Sequence, residues 1–121
     1  MPTNATRTAS QSFNNQEAFV FSWTLAAGET GEAIVLPGHA DRSVQFFGSF
    51  SGGASVVLEG TNELNEAAAA NFMTYLDPFG NLIQKSTPDK AGVTEAMRAT
   101  RSRVIGGDGS TAITILLYAK R

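Results

Sequence analysis

The feature that most constrains the fold of this 121-residue chain is a series of short apolar segments separated by turn sequences. Residues 17–25 set the pattern, because large apolar side chains occupy every second position from Phe19 to Leu25, as in a strand with one buried face. Comparable segments follow at 32–36, 43–50, 54–61, 72–76, 82–85, 101–105 and 110–119. Since no long helices alternate with them, about eight short strands predict an all-β fold, an antiparallel β-sandwich of jelly-roll type.

Segments between the strands carry turn or helix signals. Residues 63–71, ELNEAAAAN, favour one short helical loop, with Asn62 as its N-cap. Residues 77–81 have the proline and glycine of a tight turn, and residues 106–109 predict a glycine-rich hairpin turn. Residues 86–92 are expected to form a loop.

The first 16 residues differ in composition from the rest of the chain. They are mostly Thr, Asn, Ser, Gln and Ala, and Phe13 is their only aromatic side chain. Such a segment buries too little surface to offset the entropy of ordering it. We therefore expect a flexible N-terminal arm over 1–16, either disordered or ordered on a neighbouring subunit through Phe13, and a β-sandwich domain over 17–121.

The distribution of charge suggests a protein partner more than a nucleic acid. The net charge is −2, but residues 1–80 carry eight acids and two bases, and residues 81–121 carry three acids and seven bases. Regions of opposite sign either pair between molecules or are brought together on one surface by folding. Arg98, Arg101 and Arg103 form a basic cluster that suits partner carboxylates or phosphates, or a solvated sheet edge. It is too small, and too poor in interleaved aromatic residues, for direct nucleic-acid binding.

The last predicted strand, 110–119, is apolar on both faces. Ile113, Ile115 and Leu117 share one face, while Leu116 and Tyr118 lie on the other. Such a strand is expected either at the centre of a sandwich or against a partner subunit.

Two aromatic residues are expected at the surface. Phe47 falls on the face opposite Phe46, and Phe79 lies at the tip of a turn. Each is either a platform for a sugar ring or, more commonly, a contact with another subunit.

Catalytic and metal-binding patterns are weak throughout the sequence. There is no cysteine, so disulfides, thiolate nucleophiles and zinc–thiolate sites are excluded. His39 is the only histidine, and with Asp41 only two residues away it makes a poor triad. Glu59 and Glu63 are a weak carboxylate pair, and residues 106–109 lack the lysine of a phosphate-binding loop. We therefore expect a non-enzyme without a metal or cofactor.

No segment of the sequence suggests a membrane. Its longest uncharged apolar stretches are about eight residues, whereas a spanning helix needs roughly 20. The N-terminal residues also lack the apolar core of a signal peptide.

Three stretches resemble small virion structural proteins of tailed bacteriophages. They are VQFFGSFSGGASVVLEGTNE (44–63), YLDPFGNLI (75–83) and RSRVIGGDGSTAITILLYAKR (101–121). The shared elements are a G-x-F-x-G-G hairpin, a V-x-L-E-G-[ST]-N strand, a D-P-x-G-N turn and a final strand that ends in basic residues. The resemblance covers about residues 43–121, and ELNEAAAAN departs from the short polar turn that relatives have there.

The resemblance implies a head decoration, or cement, protein. Such a protein would be made in the host cytoplasm, bind the outer surface of the capsid and bridge subunits of the major capsid protein as a dimer or trimer. The residues expected to make contacts are Phe13, Phe47, Arg98, Arg101, Arg103, Leu116 and Tyr118. Alternatives are a tail or neck component and a carbohydrate-binding sandwich that aids adsorption.

Overall fold

The computed structural model describes residues 8–10, 18–35, 41–66 and 70–120. These residues form ten strands and a 3₁₀ turn at Ser51–Gly53, and no α-helix occurs among them. The strands are β1 (Thr8–Ser10), β2 (Ala18–Leu25), β3 (Ile34–Val35), β4 (Asp41–Ser49), β5 (Ser55–Thr61), β6 (Met73–Thr74), β7 (Gln84–Lys85), β8 (Asp89–Val93), β9 (Ala99–Ile105) and β10 (Ala112–Lys120). Within this part of the chain, no helix has the length and apolarity that a membrane crossing requires.

The strands are arranged in two antiparallel sheets. The first sheet has the order β1-β2-β10-β4-β8, and the second has the order β3-β9-β5-β6, with β7 also paired to β5. Strands from the N-terminal half pair with strands from the C-terminal half in nested order. β2 pairs with β10, β3 with β9, β4 with β8 and β5 with β6. This is jelly-roll connectivity, so the predicted antiparallel sandwich is confirmed, and β10 is the central strand of its sheet.

The core lies between the sheets and is built from alternate residues of the long strands. Both sheets contribute completely buried side chains, namely Leu25, Ile113, Ile115 and Leu117 from the first and Val56 and Leu58 from the second. Each such side chain stabilises the fold by about 1.5–3 kcal/mol relative to exposure. The period-two pattern of the sequence therefore identified the buried faces of β2, β4 and β10 correctly.

A buried polar cluster also connects the two sheets. Arg42 projects inward from β4 and is only 5% exposed. Its guanidinium donates to the Tyr75 hydroxyl and to Thr100 Oγ1, each at 3.3 Å, and those two oxygens lie 2.7 Å apart. Because a buried charge is costly unless it is hydrogen-bonded, these contacts fix Arg42 between the sheets.

The helical loop predicted at 63–71 is not found in the described residues 62–66 and 70–71. The Glu63 carboxylate instead accepts hydrogen bonds from the Ala70 backbone and from the Asn71 side chain. The Asn62 side chain accepts the backbone N–H of Arg98 and so does not act as an N-cap. Residues 67–69, at the centre of the predicted helical loop, lie outside the described residues.

Two predicted irregular segments contain strands. Residues 89–92, expected in a loop, lie in β8 because their backbone pairs with β4 at the edge of the first sheet. Residues 8–10 of the expected flexible arm pair with β2. Phe13 lies outside the described residues.

Candidate functional site

The outer side of the first sheet is an apolar face formed by Val20, Phe47, Leu116 and Tyr118. Leu116 and Tyr118 alternate along β10 with completely buried residues, so they point away from the core, and both are half-buried. Val20 lies directly opposite Tyr118, and Phe47, which is 38% exposed, lies opposite Thr114. The structure therefore brings Phe47, Leu116 and Tyr118 onto one surface, and their role as contact residues stays a prediction.

A groove of about 720 Å³ runs over part of this apolar face. Its floor includes Val20, Leu116 and Tyr118, and one wall is formed by residues 77–79, which reach across from the second sheet. Lys90 of the edge strand β8 also lines it. The volume is in the range of ligand and anchor pockets in proteins.

Hydrogen bonds within the turn at 77–81 stabilise its conformation. One carboxylate oxygen of Asp77 accepts the backbone N–H groups of Phe79 and Asn81, each at 2.9 Å. The Asp77 N–H donates a hydrogen bond to the Asn81 carbonyl, and the Asp77 carbonyl accepts one from the Gly80 N–H. Gly80 has a φ of +86°, a conformation that favours glycine. The Asn81 N–H, followed by that of Phe79, holds the pKa of Asp77 below its usual value.

The same turn carries apolar side chains that the fold leaves in water. Leu76 and Leu82 face each other across its base and are 37% and 55% exposed. Phe79 at the tip is 87% exposed. Large apolar groups presented on a rigid turn are typical of protein contact sites.

The outer side of the second sheet is an arginine face formed by Arg101, Arg103 and Glu59. As the spacing predicts, Arg101 and Arg103 project from the same side of β9, and both guanidinium groups contact the buried Glu59 carboxylate. Arg101 Nε donates to Glu59 Oε1 at 2.7 Å, and Arg103 Nη2 donates to Glu59 Oε2 at 3.3 Å. The Arg101 guanidinium also stacks on the Phe72 ring, with its central carbon 3.7 Å from the ring centroid.

The third predicted arginine lies apart from these two in its contacts. Arg98 Nη1 donates to Glu66 Oε1 and to the Glu63 carbonyl, each at 2.9 Å. The backbone N–H of Glu66 and this guanidinium hold the pKa of Glu66 below its usual value.

Folding largely brings together the two oppositely charged regions of the sequence. Three sets of ion pairs each join an acid before residue 80 to a base after it: Glu59 with Arg101 and Arg103, Glu66 with Arg98, and Asp41 with Lys120. Of the two possibilities left by the sequence, mixing on one surface therefore accounts for these charges.

Carboxylates in the segments weighed for a catalytic pair or a phosphate-binding loop have structural partners. Glu63 closes a loop, and Asp108 accepts the Ser51 hydroxyl and the Ser110 N–H, which lower its pKa. In the described ranges, no three Asp, Glu or His residues cluster as metal ligands. His39 lies outside those ranges.

Sequence reasoning missed the Glu59 partner of the arginines and the groove wall. Glu59 lies on the outer face of β5, and its pairing depends on the register that sets it opposite Arg101. The D-P-x-G-N signature marked the turn and Phe79, yet nothing local shows that Pro78 lies over Gly92 of the other sheet, where an added β-carbon would be 3.5 Å from Pro78 Cγ.

Comparison with protein-family models and with curated proteins gives no match. Among solved structures, the chain is similar to a cupin domain from Bordetella pertussis Tohama I, with 12% identity and a TM-score of 0.48 over 100% of this chain and 98% of the other. It is also similar to the TT1209 protein from Thermus thermophilus, with 14% identity and a TM-score of 0.37 over 95% of this chain and 84% of that one.

Proposed function

We propose that this chain is a bacteriophage capsid decoration protein that binds the outer surface of the head and bridges subunits of the major capsid protein. A bridging protein needs separate contact surfaces on one rigid body. The sandwich offers two of different chemistry on opposite sides, the apolar face and the arginine face, and each could contact a capsid subunit or a second copy of the chain. The resemblance of residues 43–121 to small virion proteins supports the same assignment.

The observation that carries the proposal is the arrangement of Arg101 and Arg103 over one carboxylate. Glu59 neutralises one of the two positive charges, so the cluster keeps a net charge of about +1. Among the described residues, Nη1 and Nη2 of Arg101 and Nη1 of Arg103 donate no hydrogen bond, although Glu59 and Phe72 hold both groups in place. Guanidinium groups already fixed lose little entropy when they bind carboxylates of a partner.

The test is cosedimentation of the purified protein with heads of the parent phage that lack it. Arg103→Gln removes one guanidinium and leaves Arg101 paired with Glu59, so the fold should persist. We expect head affinity to fall about tenfold, with a weaker dependence on salt. Lys85→Gln is the matched control, because it removes the same charge from β7, where the side chain projects away from the arginine face and pairs with Asp89, and it should bind like the wild type.

The outcomes separate the alternatives. Failure of the wild-type protein to bind heads contradicts the proposal. Binding to tails or necks in place of heads identifies a tail component, and binding to a glycan array alone identifies an adsorption module. Equal head affinity of Arg103→Gln and Lys85→Gln contradicts the role of the arginine face.

A further inference from the structure

We propose that the groove on the apolar face joins two copies of this chain, with Phe79 of each copy inserted into the groove of the other. This inference goes beyond head binding and does not depend on it. It identifies the self-contact as the groove and its turn, and the assembly as a twofold dimer.

The turn at 77–81 and its base expose apolar side chains to water, which is unfavourable. Phe79, Leu82 and Leu76 place three large apolar side chains within seven residues of chain, and Phe79 is almost fully in water. The hydrogen bonds of Asp77 prevent the turn from folding back to bury its tip. A second surface must cover these side chains if their contact with water is to be removed.

A groove that could accept Phe79 of a second copy lies next to the turn. The groove floor consists of Val20, Leu116 and Tyr118, and the wall next to it is formed by the turn itself. In a twofold dimer, a protrusion beside a depression is self-complementary, because each copy supplies one of each. The exchange would cover Phe79 and the outer side of β10 together, which explains why that central strand is apolar on both faces.

The groove is lined by one acidic and one basic side chain, which suits pairing with a second copy. The rim carries one carboxylate, Asp77, and one ammonium group, Lys90. The twofold axis would bring Asp77 of one copy toward Lys90 of the other, twice per dimer. A rim with one charge of each sign suits its own copy better than a strongly acidic or strongly basic partner.

The test is sedimentation equilibrium of the full chain over a range of concentrations. We expect a monomer–dimer equilibrium that is weakened at least about tenfold by Phe79→Ser, as for truncation of an interface anchor. Leu64→Ser is the matched control, because Leu64 is 84% exposed and does not line the groove, and it should leave the equilibrium unchanged. Lys90→Glu should also weaken the dimer, because at each of the two contacts the introduced carboxylate would face the Asp77 carboxylate of the other copy.

Several results would overturn the inference. If the wild-type protein stays monomeric at about 100 µM, the dissociation constant of the dimer is higher than we expect for a specific interface, and the inference is wrong. A trimer, or a dimer that Phe79→Ser and Lys90→Glu leave unchanged, requires a different surface. If the protein is a monomer that binds glycans, and Phe79→Ser abolishes that binding, the groove is a sugar-binding site. Head binding through Arg103 is measured separately, so failure of the dimer and failure of the proposed function remain distinguishable.

Discussion

Glu59 and Arg101 lie directly opposite each other on β5 and β9, with Glu59 Oε1 2.7 Å from Arg101 Nε. The glutamate is only 2% exposed although it projects from the outer face of its sheet. Its carboxylate therefore depends on the two arginines for the polar contacts that water would otherwise supply.

Replacing this carboxylate should destabilise the protein more than replacing an exposed one. Glu59→Gln keeps the shape but leaves two guanidinium groups without their counter-ion, and we expect a loss of about 1–3 kcal/mol in the free energy of unfolding. Asp41→Asn breaks the 3.8 Å surface pair with Lys120 and should cost less than about 0.5 kcal/mol. Urea denaturation of both variants measures the difference, and equal losses would contradict a stabilising role for Glu59.

The hydroxyl of Tyr75 should couple energetically to Thr100. Tyr75→Phe removes the 2.7 Å hydrogen bond to Thr100 Oγ1 and a contact with Arg42, at an expected cost of about 1–3 kcal/mol. A double-mutant cycle with Thr100→Val should give a coupling energy between about 0.5 and 3 kcal/mol. Additive single and double losses would show that the buried cluster does not act as a unit.

The sequence predicted the sandwich because local alternation and core burial agree along its long strands. Trp23, Leu25, Val44 and Phe46 alternate with less buried neighbours, and the fold buries them as the pattern requires. The same logic failed for residues 89–92, whose composition is that of a loop. They form a strand only because β4 offers an unpaired edge, which is information held elsewhere in the chain.

The candidate surfaces could be predicted only in part, for a related reason. Spacing alone placed Arg101 and Arg103 on one side of β9 and separated Leu116 from the core. The groove required the turn at 77–81 to cross from one sheet to the other, and Glu59 required a specific β5–β9 register. Both are long-range relationships, which single-sequence patterns do not encode.

Gly48 should tolerate substitution far less well than Gly109. Its φ is +121°, and a β-carbon there would collide with the Ala112 carbonyl oxygen, which is backbone and cannot rotate away. We expect Gly48→Ala to cost at least about 2 kcal/mol. Gly109→Ala, where no atom lies within 4 Å, should change stability by less than about 0.5 kcal/mol. Thermal and urea denaturation compare the two, and similar values would contradict the close strand approach.

Acid should weaken the turns that Asp77 and Asp108 hold. The Asn81 N–H lowers the pKa of Asp77, and the Ser51 hydroxyl lowers that of Asp108, relative to the unfolded chain. A lowered folded-state pKa gives stability that is present above the unfolded pKa of about 3.9 and is lost as pH falls through the folded one. Unfolding free energies should therefore be constant near neutral pH and decline below about pH 4.

The double variant Asp77→Asn, Asp108→Asn tests this assignment. Asparagine side chains can accept the same turn hydrogen bonds without titrating, so the variant should fold and lose less stability than the wild type between pH 5 and pH 2, a range chosen to span about two units on either side of the free aspartate pKa. Asp89 and Glu66, whose pKa values are also lowered, should retain the rest of the dependence. Parallel curves for variant and wild type would show that these two carboxylates do not stabilise the fold.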